Sequence, residues 1–313
     1  MKNLSNKIIV VLLLCLSFIA KAQQDAQYTQ YMYNTMTINP AYAGTRDAFS
    51  FTGLYRTQWV GLEGAPKTAT VSFSSPISER SGLGVNIIQD EIFISKETYI
   101  DIAYSYAIPV SYEGKLAFGI KGGAQLLDVD TNRLLQGAFD DTDVNAQIDI
   151  NNRFSPQVGV GVYYYDTKFY VGVSAPNLLE TEHYKLSGDS FSNSGLARER
   201  INYYAIAGYV FDIHYDWKFK PAALVKVVDG APLQADVSAN FIFRERLTLG
   251  AAYRWSAAFS ALAGFQINDQ LMLGFAYDVE TTELQQYNNG SFEFLLRFEL
   301  FNRKNKLLSP RFF

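Results

Sequence analysis

Only two histidines occur in the chain, His183 and His214, and they set the first limit on its chemistry. A nucleophilic triad needs an imidazole within hydrogen-bond reach of both a hydroxyl and an orienting carboxylate. His183 falls in a long connection and His214 at a tight turn, which the strand order derived below puts at opposite ends of the molecule. The one cysteine, Cys15, lies in an apolar leader, so the rest of the chain has no thiol nucleophile, disulfide or thiolate metal site. No phosphate loop, dinucleotide fingerprint or two-histidine helix motif follows a suitable strand. The acidic stretch "LLDVDTNRLLQGAFDDTDVNAQIDINNRF" starts like a calcium loop, with Asp128, Asp130 and Asn132 at ligand spacing. A loop of that class needs glycine at its sixth position and glutamate at its twelfth, where Arg133 and Phe139 stand. The expectation is a protein that is not an enzyme and has no cofactor. Asp128, Asp130 and Asn132 are its only metal candidate, in a loop read as solvated.

The elements around these residues decide the class. "MKNLSNK" is a short basic segment, "IIVVLLLCLSFIA" is apolar, and Ala20-Lys21-Ala22 fits a cleavage site, so residues 1–22 are expected to be a signal peptide. Leu13 and Leu14 are too bulky to make Cys15 a lipidation site. No later stretch approaches 18 apolar residues in a row, the length of a membrane helix. With 21 Tyr, 23 Phe, 22 Gly and a net charge of −4, the chain reads either as a soluble exported β protein or as a transmembrane β-barrel.

Periodicity separates the two. In "DQLMLGFAYDVE", Leu271, Leu273, Phe275 and Tyr277 point one way, and Met272, Gly274, Ala276 and Asp278 the other. In "SFEFLLRFELF", Phe292, Phe294, Leu296, Phe298 and Leu300 share one face, while Glu293, Leu295, Arg297 and Glu299 share the opposite one. Alternation over about ten residues with so aromatic a face fits lipid outside and a polar lumen inside. The same pattern predicts strands at 49–59, 67–76, 82–90, 98–109, 115–125, 156–165, 168–175, 200–212, 217–228, 233–243, 246–255, 258–267, 269–278 and 291–301. Fourteen is even, as single-chain bacterial barrels require. Every second connection is short, and the long ones, 126–155, 176–199 and 279–290, fall on the other set, expected to be extracellular. The predicted fold is therefore an all-β antiparallel barrel of about 14 strands. Its organisation is a signal peptide (1–22), an N-terminal periplasmic or plug segment (23–48), the barrel (49–301) and a periplasmic tail (302–313).

Two segments carry candidate interface residues. In "QYTQYMYNTMTINPAYAG", Pro40 pushes Asn39 to extended backbone, Gly44 permits a turn with positive φ, and Ala41 and Ala43 permit close packing. In "YRTQW", Tyr55 and Trp59 are expected in an aromatic girdle, with Arg56 and Gln58 facing the lumen. The closing "SPRFF" is basic and then aromatic, which suits a disordered end, a partner handle or an assembly signal.

These residues carry a family resemblance over essentially all of the chain after the leader. Gln30-Tyr31, Asn34, Asn39-Pro40-Ala41 and Gly44, then Arg56, Gln58-Trp59 and Pro66, resemble the N-terminal signature of the PorP/SprF family of type IX secretion membrane proteins. Ser309, Pro310, Arg311, Phe312 and Phe313 resemble that family's ending. The resemblance implies an outer-membrane component of the type IX secretion and gliding apparatus. Its implied partners are outer-membrane lipid, a secreted adhesin-like cargo and periplasmic secretion-ring or peptidoglycan-linked components, with no nucleic acid. Gln30, Tyr31, Asn34, Asn39, Pro40, Gly44 and Pro310–Phe313 are then the candidate interface or plug residues, facing the periplasm. A plugged transporter for a small or hydrophobic solute is the competing expectation.

Overall fold

The computed structural model describes residues 27–130, 150–179 and 200–301. The expected signal peptide, the tail with Pro310–Phe313, His183 and Asn132 lie outside the described residues. Strands β1 (Ala48–Thr57), β2 (Lys67–Pro76), β3 (Ser81–Ile92), β4 (Ser95–Pro109) and β5 (Lys115–Val129) follow one another as a meander. Next come β6 (Ile150–Tyr165), β7 (Phe169–Ala175), β8 (Asn202–Tyr209), β9 (Phe211–His214) and β10 (Trp217–Val228). The wall is completed by β11 (Gln234–Phe243), β12 (Leu247–Arg254), β13 (Ala258–Gln266), β14 (Leu271–Glu280) and β15 (Ser291–Phe301).

Each strand pairs antiparallel with its neighbours, and β1 pairs with β15 from Ala48 opposite Phe301 to Thr57 opposite Phe292. β8 and β9 both pair with β10 and occupy one position, interrupted at Val210, so the fifteen strands make a closed wall of fourteen staves. Closure pairs every edge, which is what lets backbone N–H and C=O groups lie in hydrocarbon. Among the described residues no helix is long and apolar enough to cross a membrane.

Alternation sorts side chains between the two faces as the sequence predicts. Phe49, Tyr55, Phe294, Leu296 and Leu300 are exposed on the outer face, with Phe51 and Phe73 rings at 5.2 Å and Phe275 and Phe294 at 5.1 Å. Ser50, Thr52, Arg56, Glu293, Arg297 and Glu299 are buried on the inner face.

Several boundaries differ from expectation. β1 stops at Thr57 because Trp59 takes a left-handed backbone (φ 45°) and turns the chain across the rim. Its amide donates to Ser291 Oγ, its indole to Glu280, and the next amide, Val60, to the Gly290 carbonyl. β5 and β6 extend well into the expected loop, since Leu127 and Val129 are buried on the inner face. The stave expected at 200–212 breaks at Val210, whose amide donates to the Lys168 carbonyl, and its second half reaches His214.

Candidate functional site

Residues 27–47 make no strand, and their sequence explains why. Asn39 sits at φ −136°, the extended backbone imposed by the following proline, and its Oδ1 accepts the Ala41 amide at 2.9 Å. Pro40 then starts the single turn Pro40–Tyr42, where its missing N–H costs nothing. A second turn, Thr35–Thr37, precedes it, and the Asn39 amide donates to the Thr35 carbonyl at 2.9 Å. Gly44 has φ +70°, and a Cβ there would lie 2.5 Å from Gly82 Cα. Only glycine satisfies both the left-handed backbone and the close approach.

A compact coil of this kind leaves many backbone groups without local partners, and the barrel's inner face supplies them. Arg56 lies between two buried carboxylates, Asp278 at 2.7 Å and Glu293 at 3.1 Å. Glu293 also accepts the amides of Thr29 (2.9 Å) and Gln30 (2.8 Å), and the Thr29 hydroxyl donates to Asp278 at 2.8 Å. Further along, Asn34 donates to Ser72 at 2.9 Å, Asn86 to the Met36 carbonyl at 3.2 Å and Ser174 to the Ile38 carbonyl at 2.7 Å. Asn39 Nδ2 donates to the Val162 carbonyl at 3.1 Å. Nearest β1, the Gly44 amide donates to Ser74 at 2.8 Å, Ser105 to the Ala43 carbonyl at 2.6 Å, and Arg46 pairs with Glu299.

Packing matches the polar contacts. Tyr28 through Met36 and Ile38 through Ala43 are all buried. Full burial of side chains such as Met32, Met36 and Ile38 is worth about 1.5–3 kcal/mol each. Gly119 and Gly161 leave room for the coil: a Cβ on Gly119 would lie 2.1 Å from the Ala41 nitrogen, and one on Gly161 2.1 Å from Asn39 Oδ1. Tyr42 meets Tyr163 edge-on at 5.5 Å, and Tyr163 continues to Tyr165 and Tyr170 at 5.7 and 6.0 Å. Lys220 Nζ stands 5.3 Å from the Tyr33 ring centroid.

Gln30, Tyr31, Asn34, Asn39, Pro40 and Gly44 therefore gather in one body against the inner wall. Tyr55 lies on the outer face, Arg56 on the inner face, and Gln58 Oε1 accepts the Arg56 Nε–H at 3.1 Å. Asp128 accepts the Asn152 amide at 2.6 Å, and among the described residues no three His, Cys, Asp or Glu side chains converge as a metal site. The inward tyrosines are what sequence reasoning passed over. In "VGVGVYYY" the parity of Gly159 and Gly161 already points Tyr163 and Tyr165 inward.

Asn39 joins the turn to two strands, so Asn39→Ala is expected to destabilise the folded protein by about 1–2 kcal/mol through the lost cap and wall bonds. Asn39→Asp, which keeps the cap acceptor and loses the donors, should recover only part of that loss in denaturant unfolding of vesicle-embedded protein.

Three solved structures illustrate what this chain is similar to. The CymD monoaromatic hydrocarbon channel aligns at TM-score 0.51 and 12% identity, over 86% of this chain and 93% of that one. Outer membrane protein Omp33 of Acinetobacter baumannii aligns at TM-score 0.47 and 10% identity, over 82% and 100%. The P. putida toluene transporter TodX aligns at 0.43 and 8%, over 86% and 94%. At these identities the likeness concerns the barrel fold alone. No curated protein matches the chain. A family model described as "Type IX secretion system membrane protein PorP/SprF" matches residues 20–298.

Proposed function

The chain belongs to the PorP/SprF family of type IX secretion system membrane proteins, and from that membership we propose a non-catalytic role in the outer membrane. The protein anchors, or helps to export, a secreted adhesin-like surface protein as part of the secretion and gliding apparatus. Its leader is removed on export and the barrel is embedded in outer-membrane lipid. The rim with the connections 58–66, 130–149, 176–201 and 281–290 faces outward and receives cargo. The opposite rim and the 302–313 tail face periplasmic ring or peptidoglycan-linked components.

One observation carries the choice of anchor over solute channel. Fourteen staves enclose a lumen too wide for wall side chains alone to fill. A plug role for residues 27–46 is supported by their hydrogen bonds to β1, β2, β3, β4, β6, β7, β11, β12, β14 and β15. A lumen bonded across in this way favours a rigid docking body over a conduit.

The test is gentle detergent purification of the tagged protein from its native outer membrane, with bound proteins identified by mass spectrometry and the barrel reconstituted in liposomes. Stoichiometric recovery of a large exported protein or of secretion-ring components, with liposomes impermeable to small solutes, is the expected result. Recovery of the barrel alone, with solute flux into the liposomes, would overturn the reading in favour of a transporter.

A further inference from the structure

Both ends of the described coil can be located against the strands. The turns 77–80, 110–114, 166–168, 215–216, 244–246 and 267–270 define one rim, together with the start of β1 and the end of β15. The longer connections define the other.

Gln27 donates to Gln234, the first residue of β11, directly after the connection 229–233 at the long-connection rim. The Tyr28 carbonyl accepts from Arg254, the last residue of β12 before the same rim. Thr29 and Gln30 bond to Glu293, Asp278 and Arg56, each within three residues of that end of its strand. Asn34 and Met36 meet Ser72 and Asn86 near the middle of β2 and β3. Ala43, Gly44 and Arg46 meet Ser105, Ser74 and Glu299, close to the short-turn rim. The two ends of the coil thus meet opposite rims, and residues between them are bonded to the wall in between.

We infer that residues 27–46 thread the whole lumen from one mouth to the other, so that Gln27 is presented at the outer mouth and only the exposed Asp47 that follows is offered to the periplasm. The expected periplasmic collar is thereby divided. Gln27–Gln30 belongs to the side where a secreted partner arrives, and a periplasmic component can reach only Asp47 at the other end. The inference rests on the proposed orientation of the rims, and the test separates the two.

The chain offers a clean labelling background, because its one cysteine, Cys15, lies in the expected leader. Single-cysteine variants Gln27→Cys and Asp47→Cys are compared with Tyr287→Cys, exposed on the 281–290 connection, and Tyr112→Cys, exposed on the 110–114 turn. A membrane-impermeant maleimide is applied to intact cells and to cells with a permeabilised outer membrane. Gln27→Cys should label in intact cells to the level of Tyr287→Cys, and Asp47→Cys only after permeabilisation, as Tyr112→Cys does. Gln27→Cys following the Tyr112→Cys pattern, or resisting label in both conditions, overturns the threading and leaves the orientation intact. Exchange of the two control patterns overturns the orientation and the outward presentation together. A short epitope inserted immediately before Gln27, with the cysteine chain otherwise unchanged, gives a second reading: antibody binding to intact cells supports the inference and binding only after permeabilisation overturns it.

Discussion

Replacing Gly119 by valine will expel the N-terminal coil from the lumen. The Cβ would stand 2.1 Å from the Ala41 nitrogen and 2.4 Å from the Ala41 Cα, against backbone that cannot rotate away as a side-chain tip can. Overpacking a close-packed site typically costs about 1–3 kcal/mol where side chains relax, and a clash with backbone lies at or above the upper end. The wall has an independent source of stability in its closed hydrogen-bonded ladder, so the coil is the element that yields. Arg46, 6% exposed in the native arrangement, then becomes a trypsin site, and the reconstituted barrel conducts. Gly122→Val is the matched control. It lies three residues further along the same strand on the outer face, where an added Cβ meets nothing within 4 Å, and should behave as the parent. A Gly119→Val protein that resists trypsin and stays silent in planar bilayers would show that the coil is not seated against β5.

The second large effect is expected at Arg56. Its guanidinium is 2% exposed, and its partners Asp278 and Glu293 are 1% and 0% exposed. Arg56→Met leaves two carboxylates in a desolvated site, with the Thr29 hydroxyl and the Thr29 and Gln30 amides as their remaining named donors. Removing one partner of a buried ion pair costs about 3–5 kcal/mol, because the cost is that of the stranded charge. The measurement is guanidinium unfolding of protein refolded into lipid vesicles. Combining Arg56→Met with Asp278→Asn and Glu293→Gln removes the stranded charge and should restore most of the loss. A single variant as stable as the parent would mean that water reaches this cluster and screens it.

Both predictions rest on neighbours that no local reading of the chain supplies. The glycines at 119 and 161 are visible in sequence as small inward positions. What they make room for is decided by residues 39–41, far away in the chain, held there by Asn39 and the turn after it. Glu293, Arg297 and Glu299 can be assigned to the lumen from the parity of "SFEFLLRFELF" alone. Their partners cannot. Arg56 faces Glu293 because closure sets β1 against β15 in one register, and a shift of a single residue would turn Arg56 toward the opposite face from its partner.

What the amino-acid sequence determined by itself was therefore the barrel. Period-two alternation, short polar turns and long connections on alternate sides are local signals, because a strand's two faces meet different solvents along its whole length. Parity likewise assigned Arg56 and the inward glycines to the lumen. Only the tertiary structure decided that Trp59 leaves its strand with a left-handed backbone to tie two connections together. It alone decided that the tyrosines at 163, 165 and 170 pack into one cluster, and that residues 28–36 and 38–43 lie buried against the inner face of the wall. The reason is physical. A coil without periodicity carries no record of the face it will meet, and its path is set by which buried polar groups of the closed wall remain to be satisfied.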